Sequence, residues 1–226
     1  QRMVNLDRIV FGACMVSMGD ADGLITGLTR SFDSTYNHVR RVISPKKNKR
    51  FFSMCMILSK DRTVFIGDTH INDTPDYLQL ADIAEEMASE VKRLGFVPRV
   101  AFSSFANFGS PSLPSTESSK KAVLELQNRS ADFEFDGEMS VEVALNYELI
   151  KKNYPFCKLT DKANILVMPG LHSANISYKL LQYLGSGSVI GPILLGGEKP
   201  VQIVQMDARV SDLNDAATFT AYSSLL

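Results

Sequence analysis

Short apolar segments alternate with amphipathic stretches along almost the whole 226-residue chain, and this rhythm constrains the fold more than any other feature. Residues 23–27, 51–58, 63–68, 99–103, 133–135, 164–168 and 191–195 have strand length and strand composition. Between and around them, residues 4–18, 31–43, 74–95, a stretch ending near 128, and 141–151, 174–184 and 212–223 read as helices. Gly19 ends the first of these, Ser31 or Asp33 caps the second, and Pro45 stops it. The clearest helix starts at Thr74, with Pro75 at the first helical position and Asp76 in the first turn. Its apolar stripe includes Leu78, Leu80, Ile83, Met87, Val91 and Leu94. Segments 51–58 and 63–68 flank a polar turn, a hairpin signal that makes the sheet mixed. Such alternation predicts a layered α/β architecture with ligand sites on loops at the carboxyl ends of strands. Those loops are 26–33, 103–110, 137–140, 169–174 and 196–212.

Bulk properties exclude several classes of function. With 24 basic and 25 acidic side chains, the chain has no overall field for gathering nucleic acid. No apolar run approaches the roughly 20 residues of a membrane-spanning helix, so a soluble protein with no membrane partner is expected. Cys14, Cys55 and Cys157 form no close pair and sit among apolar neighbours, which points to buried free thiols in a reducing, cytoplasmic compartment. His38, His70 and His172 are far apart and carry no metal-binding spacing, so no metal site is expected. The one basic run, Lys46, Lys47, Lys49 and Arg50, reads as a solvated loop or hairpin entry; an anionic, phosphate-bearing ligand is the sharper reading.

Three local clusters invite chemistry. His70, within 68–73, lies close enough to Asp68 for acid–base work, but Asp, Thr and Asn ahead of Thr74 and Pro75 also make a helix-entry loop, the reading preferred here. Asp136, Gly137 and Glu138 read as a paired-acid or magnesium site, or, preferably, as a turn into a helix with Glu138 near its positive end. The run Gly185-Ser186-Gly187-Ser188 has a glycine spacing that suits phosphate, yet it follows a helix instead of preceding one, so a helix end and loop is preferred. There is no nucleophile elbow and no flanked catalytic cysteine.

Four stretches taken together go further: Asp20-Ala21-Asp22-Gly23 followed by Gly27; residues 133–138; residues 163–169 with Asn175-Ile176-Ser177-Tyr178-Lys179; and residues 191–196 with Lys199-Pro200-Val201. Their order and spacing resemble the phosphate acetyltransferase family. Residues 68–73 and 104–110 resemble its malic-enzyme branch, the phosphate-acetyltransferase-like C-terminal domain of bacterial NADP-dependent malic enzymes. The resemblance implies two layered α/β subdomains with a mixed sheet and a ligand cleft between them. Residues 1–45 with 196–226 would form part of the first, and 46–195 the second. It also implies that roughly the first third of the family domain lies upstream of Gln1.

The same resemblance locates a loss. True transferases carry adjacent Ser and Arg after the Lys-Pro-Val step, with an Asp six residues beyond the Arg; here those positions hold Gln205, Met206 and Asp212. An Arg of the helix after the first strand falls on Asn37. Acetyl transfer needs a base near the thiol and positive charge for phosphate and oxyanion, and one lost stabiliser costs on the order of 10²–10³ in rate. No catalytic residue is therefore expected. Binding asks less, and the resemblance assigns an acetyl-CoA site to Arg30, Asn37, Asn175, Tyr178, Lys179, Ile190, Lys199, Gln205, Met206 and Asp212. Tyr178 and Ile190 could equally be core. The implied role is an acetyl-CoA-binding, catalytically inactive regulatory domain in a homo-oligomer. It would serve an N-terminal malic enzyme domain that carries NADP, a divalent metal and the oxidative decarboxylation of malate to pyruvate. The alternative is an active phosphate acetyltransferase, with Asp212 as base and Arg209 or Lys199 supplying charge.

Overall fold

A computed structural model describes residue 4 and residues 6–225. Residues 1–3, 5 and 226, which belong to the expected first subdomain and, for Asn5, to its first helix, lie outside these. The chain divides into two units, residues 1–54 with 190–226 and residues 55–189. The division falls inside two strands, β2 (Phe52–Ser59) and β7 (Ser188–Leu195), and not in the flanking loops at 45 and 196.

In the six-stranded order β5-β4-β6-β3-β2-β7, the strands β3 (Arg62–Gly67), β4 (Arg99–Ser103), β5 (Glu134–Met139) and β6 (Ile165–Val167) belong wholly to the larger unit, whereas the division passes through β2 and β7. Strands β3, β4, β5 and β6 pair in parallel, and only the turn at Lys60 and Asp61 joins β2 to β3 as a hairpin, so the sheet is mixed. Helices pack on it because their buried positions recur every three or four residues: α3 (Tyr77–Arg93) buries Leu80, Ile83, Ala84, Met87 and Val91. Arg129, the residue after α4 (Glu117–Asn128), ties the two helices by donating to Asp82, Glu85 and Glu125 at 2.8 Å each.

Several boundaries differ from the sequence reading. Helix α3 begins at Tyr77, not Thr74, because Asp76 accepts from Gln79 N–H at 2.8 Å while the Gln79 side chain accepts from Asp76 N–H at 3.0 Å. This reciprocal capping fixes the start and leaves Pro75 outside. The single helix expected over 141–151 is two, α5 (Val141–Ala144) and α6 (Tyr147–Asn153), divided where the Asn146 side chain caps the second. Asp136, Gly137 and Glu138 are strand, not turn: they continue β5, which pairs with β4 as far as Ser103 opposite Met139.

The smaller unit holds α1 (Arg8–Met18), β1 (Leu24–Gly27), α2 (Phe32–Val39), β8 (Val201–Val204) and α8 (Val210–Ser224). Strands β1 and β8 run parallel, with Leu24 opposite Val201 and Gly27 opposite Val204.

Candidate functional site

Because β1 and β8 are parallel and in register, both end at one edge, and each is followed within a few residues by a helix. The amino ends of α2 and α8 therefore start from the same edge, where backbone N–H groups and helix dipoles favour an anion or a developing negative charge. Gly27 makes the arrangement possible: its φ is +123°, and a Cβ there would lie 2.1 Å from the Val204 carbonyl oxygen.

Four of the residues singled out from sequence gather here. Arg30 follows β1 but is not a free cation, since its guanidinium pairs with the Asp7 carboxylate. Asp7 also accepts from Ile9 and Val10 N–H at the start of α1, and His38 Nε2 stands 3.5 Å from it. Burial pushes the Asp7 carboxyl up, but the Arg30 and backbone donors outweigh it and hold it below its usual range. Gln205 is half-buried, Met206 is 62% exposed, and Asp212 accepts from Arg209 N–H at 2.8 Å and from the Ser211 hydroxyl at 3.2 Å. Asp212 is thus a cap for α8. One turn on, burial and then the Asp212 charge raise the Asp215 carboxyl. Asn37 lies along α2 and gives its amide to Asp33 at 3.2 Å.

Lys199 does not join them. It precedes β8, so the strand, at roughly 3.3 Å per residue, separates it from Gln205 by about 13 Å or more. Instead it adjoins the basic run: Lys46 N–H donates to Gly196 O at 2.8 Å and Glu198 N–H to Ser44 O at 2.9 Å. Ile190 sits half-buried within β7.

Asn175, Tyr178 and Lys179 belong to the larger unit, on α7 (Leu171–Leu184). Asn175 donates to Thr69 O at 3.1 Å, and Tyr178, with no exposed surface, is part of the core. The Tyr178 hydroxyl meets His70 Nε2 at 3.2 Å, while His70 Nδ1 meets Thr69 Oγ1 at 3.1 Å. Cys55 Sγ–H also donates to Thr69 Oγ1, at 3.6 Å. Asp68 accepts from the backbone N–H groups of His70, Ile71 and Asn72, which closes the loop on itself. Lys179 is exposed.

Burial and then the charge of Lys179 push the His70 imidazole down to about 3, so it is neutral at ordinary pH with both nitrogens engaged. An acid–base role for this cluster is unsupported; it is a helix-entry loop. Burial likewise pushes the Cys55 thiol up to about 12. An unfolded His takes its proton near 6.5, whereas the folded ring resists until about 3. Stability linked to His70 is therefore complete above the first value and lost as pH falls toward the second, by at most about 1.4 kcal/mol per pH unit. Urea denaturation at a series of pH values should show that decline, and His70→Gln should flatten it.

Asp136 and Glu138 do not converge on one ion. Asp136 accepts from Lys158 N–H at 2.7 Å, and Glu138 from Gly109 N–H at 2.7 Å, so each anchors a different loop. Among the described residues no group of three or more His, Cys, Asp or Glu is placed to hold a metal ion, and no helix is long and apolar enough to cross a membrane. Sequence reasoning missed Asp7, the residue that neutralises Arg30. An Asp directly ahead of an apolar helix is the signal that could have found it.

Comparison with known proteins fits this geometry. The family model described as phosphate acetyl/butaryl transferase matches residues 1–221. An NADP-dependent malic enzyme of Rhizobium meliloti is 49% identical over 99% of this chain, which spans 29% of that enzyme's length. A phosphate acetyltransferase of Bacillus subtilis is 32% identical over 99% of the chain and is covered to 70%. The crystal structure of a phosphotransacetylase from Streptococcus pyogenes superimposes with a TM-score of 0.89 at 30% identity, covering 96% of this chain and 67% of that one. With parallel strands that end at an anion-favouring edge, a family model spanning nearly its whole length and relatives of both kinds, the chain belongs to the phosphate acetyl/butaryl transferase family.

Proposed function

We propose that this chain is an acetyl-CoA-binding regulatory module of an NADP-dependent malic enzyme and has no transferase activity of its own. The observation that carries the reading is the edge shared by β1 and β8. Where true transferases place Ser and Arg, it presents Gln205 and an exposed Met206, while Arg30 is neutralised by Asp7 and Asp212 is occupied in capping α8. Two helix amino ends can still hold a polar acyl or phosphate group, but no hydroxyl or unpaired cation stands at the reactive positions. The basic run with Lys199, beyond the opposite end of β8, offers positive charge for the phosphate end of a long ligand. Malate oxidation, NADP and a divalent metal are assigned to the rest of the longer protein. Control would follow if acetyl-CoA binds one state of the assembly better than another.

Isothermal titration of the chain with acetyl-CoA should give saturable heat, while a phosphate-dependent CoA-release assay should stay at background. Background rates are also expected for the double variant Gln205→Ser/Met206→Arg, because Asn37 still stands where the family has a cation. Absence of binding at millimolar acetyl-CoA would sink the regulatory reading. Turnover by the unaltered chain that disappears in Asp212→Asn would establish the transferase instead.

A further inference from the structure

The two carboxylate oxygens of Asp7 have separate tasks. Oδ1 accepts from the N–H groups of Ile9 and Val10, at 2.9 and 3.2 Å, and so starts α1. Oδ2 accepts from Arg30 Nη1 and also faces His38 Nε2 at 3.5 Å, so two basic side chains meet on a single oxygen. The tautomer of His38 follows from its other nitrogen. Nδ1 lies 2.7 Å from the Ser34 carbonyl oxygen, which can only accept, so Nδ1 carries the proton. In the neutral ring Nε2 is then bare, and its lone pair faces the carboxylate. A second proton can go only to Nε2, where it turns this contact into a charge-assisted hydrogen bond to the oxygen that Arg30 uses.

The surroundings leave this trio as the local charge balance. Helix α2 packs against α1, β1 and β8. Neither strand contains an ionisable side chain, and α1 adds, besides its Asp7 cap, only Cys14 and the exposed Arg8. On α2 itself the exposed Asp33 takes the Asn37 amide; beyond its end Arg40 lies over the Tyr36 ring and Arg41 is exposed. The His38 side chain is 23% exposed, so protons reach it from solvent. The Asp7 carboxyl, held below its usual range, stays ionised over the interval in which histidines change charge, roughly pH 5 to 8.

We propose that Asp7, Arg30 and His38 form a proton-operated latch beside the edge shared by β1 and β8, through which acetyl-CoA binds more tightly as pH falls. With His38 neutral, Asp7 holds Arg30. With His38 protonated, the imidazolium takes Oδ2 and the Arg30 guanidinium is released to an anionic group of the ligand. The trio then passes from no net charge to one positive charge at the amino end of α2. Arg30 directly follows β1 and precedes Ser31, the cap of α2, and its side chain is 40% exposed, so it can turn from Asp7 toward a ligand at that edge. One positive charge gained at contact distance is worth about fivefold in affinity even at the dielectric constant of water. The latch rests on the acetyl-CoA reading for the identity of the ligand and states how that site is regulated.

Isothermal titration with acetyl-CoA between about pH 8 and pH 5.5 tests it. The dissociation constant of the unaltered chain should fall by about fivefold or more. His38→Gln, which cannot take up the proton, should lose that change, and Asp7→Asn, which keeps the cap without the charge, should bind tightly throughout. The ligand's own phosphates titrate alike against all three proteins, so the difference between the profiles is the reading. Equal profiles for the unaltered chain and His38→Gln overturn the latch and leave the acetyl-CoA reading standing. If acetyl-CoA binds at no pH, that reading falls and the latch is read without ligand, from the ¹⁵N resonances of the Arg30 guanidinium. They should shift over the same pH range in the unaltered chain and stay fixed in His38→Gln. Resonances that move alike in both proteins, or in neither, overturn the latch.

Discussion

Gly27→Ala is expected to destabilise the smaller unit by roughly 3–5 kcal/mol, combining backbone strain with overpacking against a rigid neighbour. The φ of +123° lies where an L side chain is strained whatever the space around it. The new Cβ would also sit 2.1 Å from the Val204 carbonyl oxygen and 3.1 Å from its nitrogen, and these backbone atoms are held in register by the β1–β8 pairing. Gly19 provides the comparison: it also has positive φ, at +85°, but a Cβ there meets nothing within 4 Å. Gly19→Ala should therefore cost only the conformational part, on the order of 1 kcal/mol. Guanidinium denaturation of both variants, with amide exchange along 24–27 and 201–204, measures the difference. A Gly27→Ala cost no larger than that of Gly19→Ala would mean that the strands separate cheaply and that the shared edge is not a rigid platform. If the cost is as large as expected, acetyl-CoA binding should weaken as well, because the amino ends of α2 and α8 start from these strand ends.

The alternation of elements was legible in the sequence because it rests on local patterns: apolar periodicity in 77–93, Gly19 after Met18, and the turn after Ser59. Departures occurred where a side-chain contact outweighed a backbone preference. Pro75 pointed to a helix start, yet Asp76 and Gln79 cap each other and set it two residues on. The sequence Asp136-Gly137-Glu138 has turn composition, but the two carboxylates accept from Lys158 and Gly109 N–H, contacts that no local pattern reveals. The candidate site was legible by position and not by chemistry. Gln205, Met206 and Asp212 could be located from their place after the Lys-Pro-Val step. The neutralisation of Arg30 could not be, because Asp7 is 23 positions away in sequence. Nor could the separation of Lys199 from Gln205, which appears only once 201–204 is known to be a strand.

Tyr178→Ala should cost the larger unit roughly 3–5 kcal/mol, the range for emptying a buried aromatic site. Tyr178 is fully buried in a cluster with Cys55, Ile66, Met139, Leu166 and Met168, which come from β2, β3, β5, β6 and its carboxyl end, so truncation would leave a cavity where several strands meet. Tyr178→Phe keeps that volume and removes only the hydroxyl that meets His70 Nε2, a loss of about 1–3 kcal/mol because a buried ring nitrogen is left without its donor. The two substitutions also differ in their pH behaviour. The Tyr178 hydroxyl can donate to Nε2 only while that nitrogen is unprotonated, so it favours the neutral ring. Without it, His70 should take a proton at a higher pH than in the unaltered protein, and the acid-linked loss of stability should level off sooner. Urea denaturation of Tyr178→Phe between pH 7 and 4, beside His70→Gln and the double variant, isolates this coupling. If the effects of Tyr178→Phe and His70→Gln simply add at every pH, the hydroxyl and the ring do not sense each other, and Tyr178 holds α7 to the sheet through packing alone.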